Sequence, residues 1–194
     1  MIFNQRGCAS FEVYKKEDKL AEISLRFPGE HNVYNALAAF CVCYEMGINP
    51  TEIAESLSNF SGSHRRFEIL KEKNGITVAD DFAHHPTEIS NTLKAASKMG
   101  FKRVVAIFQP HTFSRTFMLL DDFANALSIA DLTIVSDILP VREENIYGVK
   151  STDLTNKIKN SIYLPTFEEI KDYIIENAKP GDLILTLGGG NVYK

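Results

Sequence analysis

The stretch DDFAHH, residues 80–85, places two aspartates directly before two of the chain's five histidines. The apolar run GITVA precedes it, and Pro86, a residue suited to the first turn of a helix, follows it. Carboxylate oxygens and imidazole nitrogens clustered in a loop are possible metal ligands. The stretch therefore predicts a functional loop between a strand and a helix.

A second group of polar residues follows the apolar run RVVAIF, where His111 and Arg115 lie within QPHTFSRT. In a doubly wound sheet, ligands bind at the carboxyl ends of the strands. We therefore expect one sheet edge to gather Asp80, Asp81, His84, His85, His111 and Arg115. On these residues alone, a metal-dependent hydrolase with the aspartates and histidines as ligands is one hypothesis.

Two further segments carry groups suited to a nucleotide. Asn32 and Asn35 are three residues apart in HNVYN, so that both amides can face one way, and an amide offers the donor and acceptor that a purine edge requires. A helix cap is the alternative explanation for Asn32 but not for Asn35. Arg65 and Arg66, in HRRF, could hold a phosphate or a ribose oxygen.

The elements that must position these residues follow from hydrophobic periodicity. Alternating apolar and polar residues in ASFEVYKK and LAEISLRF predict a hairpin around KEDK. Two helices should follow, one ending at Gly47 and one beginning with Asn49 as its cap and Pro50 in its first turn.

After SGSHRRF, predicted strands alternate with predicted helices. A hairpin should turn at Asn74-Gly75, and SRTFMLLDDFANALSIAD should form one helix with an apolar face. The residues of that face are Phe117, Leu120, Ala124 and Leu127. Such alternation predicts an α/β fold with a doubly wound, mostly parallel sheet over residues 66–194, preceded by a small α+β part over residues 1–65.

Composition excludes several classes of protein. A net charge of −4 and no basic block argue against nucleic acid as a partner, and the apolar runs are far shorter than the roughly 20 residues of a membrane span. The three cysteines lack metal-site spacing and indicate a reduced, cytoplasmic protein. No G-x-x-x-x-G-K-[ST] sequence occurs, so this chain cannot hold a triphosphate in a P-loop.

The motifs PGEHNVYNALAA, HRRFE, DDFAHHPTEI, FQPHTFSRT and GDLILTLGGG, in this order, resemble the Mur ligases over nearly the whole chain. The resemblance implies a Rossmann-like C-terminal ligase domain preceded by the end of the central ATPase domain. It also implies that the N-terminal UDP-binding domain, the rest of the central domain and the main Mg²⁺ ligands lie outside this sequence.

The resemblance further implies a reaction, in which ATP activates UDP-N-acetylmuramate through an acyl phosphate and L-alanine is added in peptidoglycan precursor synthesis. His31, Asn32 and Asn35 would then lie near the adenine, Arg66 and Asp81 near the ribose and phosphates, and His84 at the acyl phosphate. His111 and Arg115 would bind substrate, no metal ligand is assigned here, and His85 would be structural. The chain alone should be inactive, which leaves a non-catalytic binding module as a third hypothesis.

Overall fold

The computed structural model describes residues 1–193 and divides the chain into two compact units. The first unit contains residues 1–63 and 98–100, and the second contains residues 64–97 and the chain from residue 101 onward. The predicted division after residue 65 lies two residues beyond the observed one, which follows Ser63.

The first unit combines a three-stranded antiparallel sheet, ordered β1-β2-β3, with two helices. Its elements are β1 (Ile2–Phe3), β2 (Cys8–Lys15), β3 (Asp18–Pro28), α1 (His31–Glu45) and α2 (Pro50–Asn59). The helix α2 begins as predicted, because Asn49 Oδ1 accepts a hydrogen bond from Thr51 N over 2.9 Å. Phe11, Ile23, Phe40 and Ile53 are among the buried residues of the core of this unit.

The second unit is built on a six-stranded sheet ordered β4-β5-β9-β6-β7-β8. Its strands are β4 (Glu68–Lys73), β5 (Ile76–Asp81), β6 (Arg103–Phe108), β7 (Leu132–Val135), β8 (Ser161–Tyr163) and β9 (Asp182–Leu187). Among the strands that the structure describes in this sheet, β4 and β5 pair antiparallel and the other neighbours pair parallel. Positive φ angles at Asn74 and Gly75 close that hairpin, as the sequence predicts.

Helices cover both faces of this sheet. They are α3 (Pro86–Ser97), α4 (Phe113–Met118), α5 (Leu120–Leu127), α6 (Ser151–Thr155) and α7 (Phe167–Asn177). Val105 and Ile107 of β6 share a buried cluster with Ile170 of α7, whereas the ring of Phe108 lies 5.3 Å from that of Phe123 on α5. Because neighbouring strand residues point to opposite faces, these contacts confirm the predicted doubly wound, mostly parallel α/β fold.

The predicted helix over SRTFMLLDDFANALSIAD is wrong as a single element. It is interrupted at Leu119, whose φ of −115° and ψ of 23° separate α4 from α5. The interruption turns Phe117 away from the apolar face formed by α5, so that Phe117 is 51% exposed and stacks on Tyr147 with ring centroids 5.0 Å apart. Among the described residues, no helix has both the length and the apolar character needed to cross a bilayer.

Candidate functional site

The candidate site lies at the carboxyl ends of β5, β9 and β6, which are neighbours in the sheet. The loop after β5 carries His84, and the loop after β6 carries His111. Their rings are 5.9 Å apart between centroids. The predicted convergence of these two histidines is therefore observed.

His84 is held in one orientation by the backbone. Its Nδ1 lies 2.9 Å from the carbonyl oxygen of Phe82, and because a carbonyl oxygen can only accept, Nδ1 carries the proton of this bond. Nε2 is then the basic atom of the neutral ring. The ring also meets that of Phe82 edge to face, with centroids 5.2 Å apart.

The turn that carries His84 is a capping structure at the start of α3. Glu88 Oε2 accepts hydrogen bonds from the backbone N–H groups of His84 and His85, over 3.1 and 3.2 Å. The exposed His85 uses its own Nδ1 to accept from Thr87 N over 3.3 Å. Pro86 and Glu88 thus occupy the first and third helical positions after His85, where the Glu88 carboxylate caps the backbone N–H groups that precede α3, and the contacts given for His85 lie within its own turn.

His111 and its neighbours present buried polar atoms that lack a partner within the described part of the chain. These atoms are Gln109 Oε1, His111 Nδ1 and Arg115 Nη1. Buried polar atoms are costly unless water or a ligand satisfies them. Burial, followed by the positive charge of Arg115 and by His84, lowers the pKa of His111, although Glu143 opposes this shift. Sequence patterns did not single out Gln109.

Arg115 is positioned by an anchored first turn of α4. Glu143, from the loop after β7, accepts hydrogen bonds from Ser114 N over 2.8 Å and from Ser114 Oγ over 2.6 Å. Thr112 adopts a positive φ of 69°, and its carbonyl oxygen accepts from Thr116 Oγ1 over 2.7 Å. These bonds fix the segment between His111 and Arg115.

The glycines after β9 allow the backbone to pack closely against the segment that follows β6. A Cβ at Gly188, whose φ is +144°, would lie 3.0 Å from the carbonyl oxygen of Gln109. A Cβ at Gly190 would clash with Gln109 Oε1. The glycines therefore allow a bend in the wall of the site, which a side chain at Gly188 or Gly190 would obstruct.

Arg65 is the more deeply placed of the two adjacent arginines. Its Nε donates to Asp80 Oδ2 over 2.7 Å, and its Nη2 donates to the carbonyl oxygen of Gly188 over 2.8 Å. Asp80 is fully buried and also accepts from Thr186 Oγ1 over 2.6 Å. The side chain of Arg65 is only 11% exposed, so this arginine belongs to the fold of the second unit.

Arg66 and Asp81 are the two residues of this unit that we assigned to the nucleotide. The side chain of Arg66 is 53% exposed, and its Nη1 lies 3.9 Å from Glu88 Oε1. Asp81 is buried, and its carboxylate accepts from Ala83 N, Phe67 N and Thr92 Oγ1. Burial raises the pKa of Asp81 despite these hydrogen bonds and the nearby positive charge of Arg66.

The adenine-side residues lie at the start of α1 in the first unit. Asn32 Nδ2 donates to the carbonyl oxygen of Pro28 over 2.7 Å, and Asn35 Nδ2 donates to Asn32 Oδ1 over 3.2 Å. Asn32 is therefore inside the first turn and is not the helix cap. The imidazole of His31 lies over Gly29, since a Cβ there would be 2.6 Å from His31 Cε1.

The ligand set required by a metal-dependent hydrolase does not assemble. Asp80 is bonded to Arg65 and Thr186, and Asp81 is bonded to Thr92 and two backbone groups. Within residues 1–193, no group of three or more histidine, cysteine, aspartate or glutamate side chains is placed to hold a metal ion.

Comparison with known proteins identifies the family to which this sequence is similar. The family described as "Mur ligase, glutamate ligase domain" matches residues 65–190. Over the whole chain, the sequence is 45% identical to UDP-N-acetylmuramate--L-alanine ligase of Caldanaerobacter subterraneus subsp. tengcongensis, of which it covers 43%. It is also 45% identical to the ligase of that name from Acetivibrio thermocellus, with 99% of this chain and 42% of the relative covered.

A solved structure extends the likeness to the fold. The crystal structure of UDP-N-acetylmuramate-alanine ligase MurC from Thermotoga maritima aligns with 96% of this chain and 41% of that one, with a TM-score of 0.80 and 28% identity. The chain thus spans less than half the length of these relatives. Because the family match covers well over half of the chain and the fold agrees, the chain belongs to the Mur ligase family.

Proposed function

We propose that this chain is the C-terminal part of an ATP-dependent ligase that joins L-alanine to UDP-N-acetylmuramate in peptidoglycan precursor synthesis. The observation that carries the proposal is the 45% identity to such a ligase along the entire chain. The three free cysteines, Cys8, Cys41 and Cys43, agree with action in the reducing cytoplasm.

The chemistry requires activation of a carboxylate, because its oxygen is a poor leaving group. ATP, when bound, supplies the phosphoryl group that makes the muramoyl carboxylate an acyl phosphate. His84 is proposed to face that group through Nε2, because Nδ1 is already engaged with Phe82 O. A protonated Nε2 would donate a charge-assisted hydrogen bond to a phosphate oxygen.

His111 and Arg115 are proposed to bind the amino-acid or muramoyl substrate. A substrate carboxylate would supply the acceptor that the buried Arg115 Nη1 lacks in the described structure. The lowered pKa of His111, caused first by burial, keeps this ring neutral near pH 7, so that it can act as donor and acceptor.

Asn35, Arg66 and Asp81 are proposed to contact the nucleotide. Asn35 is fixed by its bond to Asn32, and its own carbonyl oxygen and second N–H remain as a pair suited to the adenine edge. Arg66 offers an exposed guanidinium to a phosphate. Asp81 Oδ1 accepts from Ala83 N and retains a lone pair for a ribose hydroxyl.

Mg²⁺ is proposed to be held mainly by residues outside this chain, because the described residues form no suitable cluster. The phosphate loop is likewise absent from this sequence. The remainder of the central domain and the UDP-binding domain are therefore required as partners, and we propose that the isolated chain is inactive.

A chimeric ligase tests the proposal. This chain would replace the matching 43% of the Caldanaerobacter ligase, and phosphate release would be followed with ATP, UDP-N-acetylmuramate and L-alanine. We expect phosphate release that depends on both substrates. The unspliced relative and an Arg115→Gln chimera serve as positive and negative controls.

Two outcomes of these phosphate-release measurements would contradict the proposal. A chimera with the thermal unfolding profile of the unspliced relative but without alanine-dependent phosphate release would contradict the proposal. Substrate-dependent release by the isolated 194-residue chain would contradict the need for the missing domains.

A further inference from the structure

Arg65 contacts both the loop after β5, which carries His84, and the glycine segment after β9, which lies against His111. Its guanidinium carbon lies 4.9 Å from the ring centroid of Phe82 and 4.3 Å from that of Tyr193. The guanidinium therefore contacts two aromatic rings, while its edge binds Asp80 and Gly188. A lysine could not make this set of contacts, because an ammonium group lacks the planar face and the divergent N–H donors of a guanidinium.

A first series of contacts links Arg65 to His84 through Phe82. The Phe82 ring that Arg65 contacts meets the ring of His84 edge to face, at 5.2 Å between centroids. Phe82 also holds the orientation of His84 through its carbonyl oxygen, and Phe82 N donates to Arg65 O over 2.8 Å. The position of Arg65 thus restrains both the ring and the backbone of Phe82.

A second series of contacts links Arg65 to His111 through Gly188 and Gly189. Arg65 Nη2 binds the carbonyl oxygen of Gly188, and the next residue, Gly189, lies against the imidazole of His111. A Cβ at Gly189 would lie 3.5 Å from His111 Cδ2 and 3.6 Å from Phe82 Cζ. The two series of contacts from Arg65 therefore reach the rings of His84 and His111, whose centroids are 5.9 Å apart.

We propose that Arg65 is a positioning residue that sets the separation of the His84 and His111 rings. The part these histidines play in ligation rests on the proposed function, whereas their separation is a property of the chain itself. A measurement without catalysis can therefore fail independently of the proposed function.

The chain offers a matched control at the opposite end of the same sheet. Arg103 forms a comparable fork, with Nε donating to Asp182 Oδ1 over 3.1 Å and Nη2 donating to the carbonyl oxygen of Asn177 over 3.0 Å. Like Arg65→Lys, Arg103→Lys removes a guanidinium that donates hydrogen bonds to a carboxylate and to a backbone carbonyl oxygen. Arg103 begins β6, however, whereas the two histidines follow the carboxyl ends of the strands. Arg66→Lys controls for the chemistry of an adjacent, exposed arginine.

The test is nuclear magnetic resonance of the 194-residue chain with labelled histidines, at a pH where each variant is folded. We expect Arg65→Lys to shift the ring resonances of both His84 and His111 and to weaken the Overhauser contact between them at least twofold. Arg103→Lys and Arg66→Lys should retain that contact. If Arg65→Lys does not fold, Phe82→Leu should weaken the same contact while the contact of Gly189 with His111 persists.

Two results would overturn the inference. One is an unchanged contact between the two rings in folded Arg65→Lys, or in folded Phe82→Leu where it replaces that variant. The other is an equal loss of the contact in Arg103→Lys, because that would show a general loosening of the sheet in place of a specific effect of Arg65.

Discussion

The hydroxyl of Thr92, on α3, donates a hydrogen bond to Oδ2 of Asp81, at the end of β5, over 3.2 Å. Asp81 Oδ2 also accepts from Phe67 N over 3.0 Å, and Oδ1 accepts from Ala83 N over 2.8 Å. One carboxylate thus joins the residue before β4, the loop after β5 and the middle of α3. Every one of these partners is a donor, so the arrangement requires an acceptor at both oxygens.

Asp81→Asn should therefore destabilise the chain, because an amide nitrogen would face a donor in the buried site. We expect the free energy of unfolding to fall by about 1–3 kcal/mol, the usual cost of an unsatisfied buried polar group, as measured by urea denaturation at pH 7. Asp121→Asn, at an exposed position paired with Lys157, should change it by about 0.5 kcal/mol or less. Equal effects of the two substitutions would refute this role for Asp81.

His111 should titrate below the usual range of histidine, about 6.5, because burial first and then Arg115 and His84 lower its pKa. A lowered pKa in the folded state gives stability above the unfolded pKa, and this stability is lost as pH falls through the folded value. Resonance titration should show the midpoint rise in Arg115→Gln and fall in Glu143→Gln, since Glu143 raises the pKa. A midpoint that neither substitution moves would disprove the assigned causes.

Glu143 should stabilise the chain only while it is ionised. Hydrogen bonds from Ser114 lower its pKa, so its contribution is present above the ordinary glutamate pKa of about 4.3 and is lost as pH falls through the lowered value. The urea midpoint of Glu143→Gln should therefore lie below that of the unmodified chain at pH 7, and the difference should close in acid. Glu144→Gln, at the exposed next position of the same loop, is the control and should leave the urea midpoint at pH 7 unchanged.

Gly188→Ala should be more destabilising than Gly100→Ala. Both glycines have positive φ, +144° and +73°, but only at Gly188 would a Cβ meet backbone, the carbonyl oxygen of Gln109 at 3.0 Å, whereas nothing lies within 4 Å of a Cβ at Gly100. Backbone strain alone costs about 1–2 kcal/mol, and we expect Gly188→Ala to exceed that range in urea denaturation. Similar costs for both would show that the turn after β9 can relax.

Arg66→Ala should leave stability within about 0.5 kcal/mol of the unmodified chain, because its side chain is 53% exposed and its nearest carboxylate oxygen is 3.9 Å away. If Arg66 binds a phosphate as proposed, the same substitution in the active chimera should raise the ATP KM by about ten- to a hundredfold. Arg142→Ala, at another exposed position, is the control. An unchanged ATP KM would remove Arg66 from the proposed nucleotide contacts.

Local signals predicted most of the elements. The turn at Asn74-Gly75 was predictable because both residues tolerate positive φ, and α2 was predictable because Asn49 is a favoured N-cap and Pro50 is favoured at the first helical position. The convergence of His84 and His111 followed from the rule that ligands gather at the carboxyl ends of parallel strands.

Features that depend on distant partners were not predictable in this way. The break at Leu119 accompanies a stack between Phe117 and Tyr147, which are 30 positions apart in the sequence. The adjacent arginines look alike in HRRF, and only the fold shows that Arg65 reaches Gly188, 123 residues away, while Arg66 stays exposed. Gln109 lies within the motif FQPHTFSRT, but the motif assigned it no role, because its distinction is a buried acceptor, Oε1, that has no hydrogen-bond partner among the described residues.

The position of β9 constrains the order in which the second unit can fold on the ribosome. Its six residues, Asp182–Leu187, are all buried between β5 and β6, although they follow both of those strands, and also β7 and β8, in the sequence. Until that strand leaves the exit tunnel, β5 and β6 have no neighbour to pair with on their facing edges. From the synthesis of β6 until that of β9, the nascent chain therefore exposes two strand edges with unpaired backbone N–H and C=O groups, a period in which chaperone contact would be most needed.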